Sequence, residues 1–244
     1  MNVRPVTVTV LGSGTSTGVP VPACSCTVCL SAAARNQRTR CSILISFDEY
    51  NVLVDTSTDL RQQVLRERIT HIDAVLFTHT HADHVNGIDD LRPYNLVSGE
   101  AIPIYASGED LATLRRVFAY WQRAPIPVYG SPATLEGVRK TFWYAFEDLP
   151  EGGGRPKLDL VPVGGPFELG GLRVVPLVGD HGSMGVTLFR IGPFAYATDC
   201  KRLPPETVEG LRGVDTLAIN ASQVGLLLLP CPPSSSSSSS SSGC

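Results

Sequence analysis

The sequence lacks any apolar run long enough to cross a bilayer: the longest, Val224 to Leu229, falls far short of the roughly 20 residues a spanning helix needs. Its opening residues, Met1 to Pro5, carry no apolar stretch of the kind that begins a secretion signal. Positive charge is not in excess. Twenty Lys and Arg stand against 23 Asp and Glu, a formal charge of −3, which argues against bulk coating of nucleic acid but leaves room for a local basic pocket. No internal repeat is visible, and an odd count of seven cysteines does not suit a disulfide framework. These absences favour a soluble cytoplasmic chain without a membrane partner. Its 244 residues, 43% of them hydrophobic, suffice for a sizeable core.

What is present reads as many short strands, and frequent glycine (23) and proline (19) suit the tight turns between them. The spacing predicts strands over Val6–Leu11, Ala74–Thr78, Leu158–Val163, Leu172–Val178, Val186–Ile191, Phe194–Thr198 and a last one over Thr216–Ile219. Ser42–Phe47 and Asn51–Val54 read as a hairpin turning at Asp48, Glu49 and Tyr50. Helical spacing appears over Asp59–Arg68, with Leu60, Val64 and Leu65 on one face, over Asp83–Leu91, Glu109–Trp121 and Pro204–Leu211. Ala124–Gly154, rich in Pro and Gly, reads as loops and a hairpin. Strands dominate and do not alternate strictly with helices, which favours stacked sheets with outer helices over a doubly wound parallel sheet.

The strongest chemical signal is Thr78-His79-Thr80-His81-Ala82-Asp83-His84, where three of the five histidines fall within six residues. Imidazole and carboxylate are the ligands of zinc, manganese and iron at hydrolytic sites. His79 and His81, two apart in an extended segment, can share one face, while Asp83 and His84 at a helix start can aim at a second point. One loop can thus serve two metals about 3.5–4 Å apart. The bland alternative is a histidine-rich surface loop. His71, alone before an apolar strand, reads as structural or solvated.

His79-Thr80-His81-Ala82-Asp83-His84 resembles the H-x-H-x-D-H signature of the metallo-β-lactamase superfamily, and flanking features match in order. Asp55, after Val52-Leu53-Val54, resembles the aspartate that braces the histidine loop. His181 sits where the next ligand is expected, and Asp199 resembles the bridging carboxylate at a strand end. The resemblance implies an α+β fold, the αββα sandwich of two packed β-sheets with outer helices, here with its C-terminal portion missing. It implies a first metal on His79, His81 and His181, a second on Asp83 and His84, and Asp199 bridging the two, with Asp83 and Asp199 as catalytic residues. Two divalent ions, Zn or Mn, would lower the pKa of a water between them to give the attacking hydroxide.

Cys24, Cys26 and Cys29 form C-x-C-x-x-C, three corners of a tetrahedral zinc site that wants a fourth; free thiols are the alternative. With the opening Leu11-Gly12-Ser13-Gly14-Thr15-Ser16-Thr17-Gly18-Val19-Pro20 and Arg40-Cys41-Ser42, this cluster resembles the phosphoribosyl 1,2-cyclic phosphate phosphodiesterases. That resemblance implies one structural Zn on the three cysteines and a small phosphodiester substrate. The glycine loop reads as a tight turn under the site, since its spacing is neither a Walker nor a Rossmann pattern. Arg92, just after Asp89 and Asp90, is a candidate for phosphate binding, because a guanidinium matches phosphate geometry. Oligomeric state is open, with a homodimer as one option.

The resemblance stops near Ala221. No histidine follows His181 in this sequence, whereas the family continues with segments that supply a last metal ligand, the fourth zinc ligand and a general acid. Residues 1–221 therefore read as a hydrolase domain. Residues 222–244, apolar, then prolyl, then an unbroken run from Ser234 to Ser242, read as an aberrant and disordered tail, the mark of a truncated or frameshifted end. Three alternatives stand beside the phosphodiesterase: a thioester or lactone hydrolase on the same fold, a catalytically impaired metal-binding remnant, and an RNA-processing nuclease resembling tRNase Z. The last lacks an inserted basic arm.

Overall fold

The computed structural model of the chain describes residues 5–106, 126–130, 158–162, 165–182, 185–221 and 225–230. Among them, seven strands make one sheet in sequence order: β1 (Thr7–Gly12), β2 (Ser42–Phe47), β3 (Tyr50–Val54), β4 (Ala74–Leu76), β5 (Ile104–Tyr105), β6 (Ile126–Gly130) and β7 (Leu158–Pro162). The β1–β2–β3 pairs are antiparallel, and from β3 onward every pair is parallel. A second, six-stranded sheet holds β8 (Phe167–Leu169), β9 (Leu172–Asp180), β10 (Gly185–Ile191), β11 (Phe194–Ala197), β12 (Thr216–Ala221) and β13 (Gly225–Pro230), with β13 at one edge and β8 at the other.

The period of two along each strand decides which face meets what. Ile43, Ile45 and Phe47 of β2, Val52 and Val54 of β3, and Ala74 and Leu76 of β4 share one core with Val174, Phe189, Ile191, Phe194, Tyr196 and Ala218 of the second sheet. Leu44, Leu53 and Val75 alternate with them and face outward, where Leu60 and Val64 of α1 (Leu60–Glu67) join Ile88 and Leu91 in a second core. On the far side, Val186, Leu188 and Ala197 pack with Leu203, Leu211 and Leu217 around α4 (Pro205–Gly210). Layers of helix, sheet, sheet and helix result, the expected sandwich. Among the described residues no helix is long and apolar enough to cross a membrane.

Three local expectations need correction. Leu65 does not join the buried face of α1: it is 60% exposed, and Gln63 is buried instead. Gln63 tolerates burial because its side-chain amide donates to the Arg40 carbonyl at 2.8 Å and to the Thr39 hydroxyl at 3.1 Å, while its carbonyl accepts from the Ser57 hydroxyl. The helix expected over Asp83–Leu91 breaks into α2 (Ala82–Val85) and a 3-10 turn over Ile88–Leu91, which runs into α3 (Arg92–Ser98). At the break Gly87 presses on Ser57: a Cβ there would stand 1.9 Å from the Ser57 carbonyl oxygen. The apolar run expected to be disordered forms β13 over Gly225–Pro230, paired antiparallel with β12 from Thr216↔Pro230 to Ala221↔Gly225. Its backbone groups find partners on what would otherwise be an open edge. The helix read over Glu109–Trp121, most of Ala124–Gly154 and the serine run lie outside the described residues.

Gly87 thus fixes how closely the histidine loop approaches the turn after β3. Gly87→Ala is expected to lower stability by about 1–3 kcal/mol, the usual cost of overpacking. Urea denaturation should show a lower midpoint with an unchanged slope, and an unchanged midpoint would refute so close a contact.

Candidate metal centre

Four strands end at one edge of the sandwich, and each hands a polar residue to the same spot. β3 ends just before Asp55, β4 runs through Phe77 and Thr78 into His79, β9 ends beside His181, and β11 runs into Thr198 and Asp199. The two sheets are tied there, where the Thr187 N–H of β10 donates to the Thr78 carbonyl at 2.8 Å. Asp55 and Asp199 both take left-handed backbone angles, φ 63° and 52°. Aspartate tolerates that region better than most residues, and such angles recur where a strand end must turn a side chain into a site.

Asp55 is fully buried and anchors the rest. Its Oδ1 accepts the Thr78 N–H at 2.9 Å; its Oδ2 accepts the Thr78 hydroxyl at 2.8 Å and His84 Nδ1 at 2.8 Å. The Thr78 hydroxyl has given its proton to a carboxylate that can only accept, so at 3.1 Å it must accept from His79 Nδ1. His79 therefore carries N–H at Nδ1 and a lone pair at Nε2, and His84 donates from Nδ1, which leaves its Nε2 to face the site; this is the arrangement by which an outer partner orients a metal-binding imidazole. Thr78 is the residue whose role the sequence reading missed. Its position just before His79 at a strand end was the available signal.

The ring nitrogens that face the site converge. His79 Nε2 lies 3.0 Å from His81 Nδ1, His181 Nε2 lies 3.3 Å from the same atom, and Asp199 Oδ2 stands 3.7 Å from His79 Nε2 and 3.8 Å from His181 Nε2. Zinc–nitrogen bonds of about 2.0–2.1 Å in a tetrahedron put nitrogens about 3.3 Å apart, so these donors fit one ion. Asp83, His84 and Asp199 form a second group, with His84 Nε2 at 3.3 Å from Asp83 Oδ2 and 3.6 Å from Asp199 Oδ2. Asp199 belongs to both groups. His79 and His84 are buried and His81 is exposed, so the site opens to solvent on one side.

The electrostatics fit a cation. Burial, helped by the neighbouring His84 charge, lowers the His79 pKa to about 4, which leaves its imidazole neutral at pH 7. Burial also opposes charge on His84, but Asp55, Asp199 and Asp83 outweigh it and raise its pKa well above the usual histidine value. Burial would raise Asp83, yet its hydrogen bond and ion pairing with His84 hold it below the ordinary carboxylate value. Three carboxylates gathered round one imidazole are a demand for positive charge that a divalent ion meets better than a proton.

The remaining candidates stand apart from this cluster. The thiols of Cys24, Cys26 and Cys29 lie within 4.8 Å of one another, with no fourth His, Cys, Asp or Glu in the group among the described residues. Their loop is pinned by paired bonds between Val19 and Arg38, by the Gly14 N–H on the Thr39 carbonyl, and by the Val21 N–H on Cys29 Sγ at 3.3 Å. The Cys29 N–H and the Cys24 thiol lower the Cys26 pKa to about 7. Arg92 pairs with Asp89 at 3.5 Å on the surface, both side chains being at least half exposed, and no described contact brings it to the histidines. His71, read as structural or solvated, bonds to Asn51 and the Glu49 carbonyl on the surface.

Residues 50–125 and 108–226 match the beta-lactamase superfamily domain. The chain is 37% identical over 196 residues to an octanoyltransferase of Porphyromonas gingivalis; the match covers 79% of this chain and 34% of that protein. It therefore spans about a third of that curated relative's length, and the activity named there is that of a much longer protein. Among solved structures, a diphosphatase from the PhnP family is similar with a TM-score of 0.65 at 32% identity, over 91% of this chain and 78% of that one. Zinc-bound PqqB from Methylobacterium extorquens follows at TM-score 0.58 and 24% identity, over 87% and 71%, a likeness of fold.

The bonding around Asp55 yields a prediction. An amide in its place would set an N–H against other donors. Asp55→Asn should weaken zinc binding about 10–100-fold, the usual cost of losing an outer partner, with the fold retained by circular dichroism. Competition against a chromophoric chelator measures it, and unchanged affinity would show that Asp55 does not orient the ligands.

Proposed function

The chain belongs to the beta-lactamase superfamily, and on that premise we propose that it is a metal-dependent hydrolase of phosphorus–oxygen bonds, with a phosphodiester or diphosphate as substrate. The observation that carries the reading is the shared carboxylate. Asp199 stands in both donor groups, His79, His81 and His181 on one side and Asp83 and His84 on the other, as a two-ion site requires. Similarity to a PhnP-family diphosphatase at 32% identity favours phosphorus over acyl substrates.

When bound, a pair of divalent ions supplies Lewis acidity toward phosphoryl oxygens and a lowered pKa for water. The chain's own contribution is positioning. His79 and His84 are locked by Thr78 and Asp55, so their donor atoms do not rearrange as the reaction proceeds. Asp83, held ionised by His84, is acceptor-only and orients an incoming water by taking its hydrogen bond. The exposed side at His81 admits the substrate, while the buried side excludes water from behind. In the same reading Cys24, Cys26 and Cys29 hold a structural zinc that orders the loop between β1 and β2.

The shared carboxylate sets the test. Purified protein freed of metal should not cleave bis(p-nitrophenyl) phosphate, and Zn or Mn should restore cleavage. Elemental analysis of Asp199→Ala should show both active-site ions weakened, whereas Asp83→Ala should lose one and keep the other. Each loss of activity should exceed the roughly 10–100-fold cost of an outer-partner change. Cleavage of a thioester with none of the phosphodiester would overturn the phosphorus assignment, and equal metal loss in the two variants would overturn the bridging role.

A further inference from the structure

The two sheets deliver their ligands in a matching way. Past β4 a buried threonine, Thr78, stands directly before His79; past β11 a buried threonine, Thr198, stands directly before Asp199. The Thr198 hydroxyl donates to Asp199 Oδ1 at 3.4 Å. Oδ2 of the same carboxylate is the atom that faces His79, His84 and His181, at 3.7, 3.6 and 3.8 Å. The two oxygens of Asp199 thus have separate tasks: one is held from behind, and the other looks into both donor groups. Thr78 is backed by Asp55. Thr198 is backed by Tyr196.

Tyr196 has 0% exposure and lies in the apolar layer between the sheets. Its hydroxyl makes no hydrogen bond. A buried hydroxyl without an acceptor costs stability, and phenylalanine would fill the same space without that cost. Packing therefore does not account for the oxygen. Burial raises the phenol pKa well above the ordinary tyrosine value, so the group keeps its proton and has one to give. The polar side chains beside it are the Cys41 thiol and the Thr198 hydroxyl. A thiol sulfur is a weak acceptor, whereas the Thr198 oxygen keeps its lone pairs after donating to Asp199.

We propose that Tyr196 and Thr198 are positioning residues for the shared carboxylate: in the metal-bound protein the Tyr196 hydroxyl donates to the Thr198 hydroxyl, which commits the Thr198 proton to Asp199 Oδ1 and keeps Oδ2 turned to both donor groups. The inference rests on the reading of Asp199 as a bridging ligand and deepens it. The second sheet then orients its carboxylate through Tyr196 and Thr198 as the first orients its imidazoles through Asp55 and Thr78.

Manganese(II) probes this site apart from the cysteines, because imidazole and carboxylate suit it and thiolates do not. Titration of the metal-freed full chain, with the free ion followed by electron paramagnetic resonance, measures its affinity. Thr198→Val and Tyr196→Phe should each weaken binding about tenfold, the low end for loss of an outer partner, and Thr198→Ser should restore most of it. The double variant should lose no more than the larger single loss, because the two groups act in series. Urea denaturation of metal-free Tyr196→Phe should give a midpoint equal to the parent's or higher, since only an unsatisfied hydroxyl is removed. A lower midpoint, losses that add in the double variant, or parent-like affinity in either single variant would each overturn the assignment. Asp199→Ala is measured beside them. If it loses affinity while Thr198→Val and Tyr196→Phe do not, the positioning inference falls alone. If it binds manganese as the parent does, the bridging reading falls and the inference with it.

Discussion

The site depends on one buried carboxylate. Asp55 has no solvent contact, and a charge so placed persists only if its lone pairs are taken by donors. Thr78 supplies two of them and His84 the third, at 2.8 to 2.9 Å. These three bonds stabilise Asp55 and do something further: they fix which nitrogen of His84 and, through Thr78, which nitrogen of His79 faces the cavity. A left-handed turn at Asp55 brings the carboxylate under the loop rather than along its strand. Remove the negative charge and two imidazoles lose their orientation together, because they share one acceptor.

Charge explains why this arrangement is poised and not merely packed. Without a metal, His84 sits among Asp55, Asp83 and Asp199 and is driven toward its protonated form, while His79 is driven toward its neutral form by burial. A proton on His84 satisfies part of the carboxylate demand. A divalent ion satisfies more of it and needs the Nε2 lone pair that the proton occupies, so ion and proton compete for the same atom. Asp199 lies between the two donor groups and faces both, which makes it the place where two positive charges can be brought together at reduced repulsion.

Much of this was legible in the sequence, because it rests on periodicity and local spacing. The hairpin over Ser42–Phe47 and Asn51–Val54 was read from its sequence, and the structure pairs the two strands antiparallel, Ile43↔Val54 to Phe47↔Tyr50. The histidine loop was legible because its four candidate ligands lie within six residues. His181 and Asp199 carried no local signal; only their order along the chain set them apart, since proximity across 100 residues is a property of the fold. What escaped the reading depended on contacts between distant segments. Gln63 replaces Leu65 in the buried face because Thr39, Arg40 and Ser57 satisfy its amide, and none of those is a helix neighbour. The helix break at Gly87 follows from the Ser57 carbonyl pressed against it, and β13 exists because β12 offers it an edge.

The division of the candidate ligands between the sheets has a consequence for how the site forms. His79, His81, Asp83 and His84 follow β4 of the first sheet, whereas His181 and Asp199 follow β9 and β11 of the second. Neither sheet alone holds a complete donor set. The set closes only when Ile43, Ile45, Val52 and Leu76 meet Val174, Phe189, Phe194 and Tyr196, and when Thr187 bonds to Thr78 across the gap. An ion that needs both halves binds the docked sandwich and not its separated sheets, so its binding energy adds to the energy of docking. By the same linkage, a change in the apolar layer that shifts one sheet against the other by a few tenths of an ångström loosens the donor cage without touching a ligand. Metal affinity and sheet packing are therefore two measures of one equilibrium.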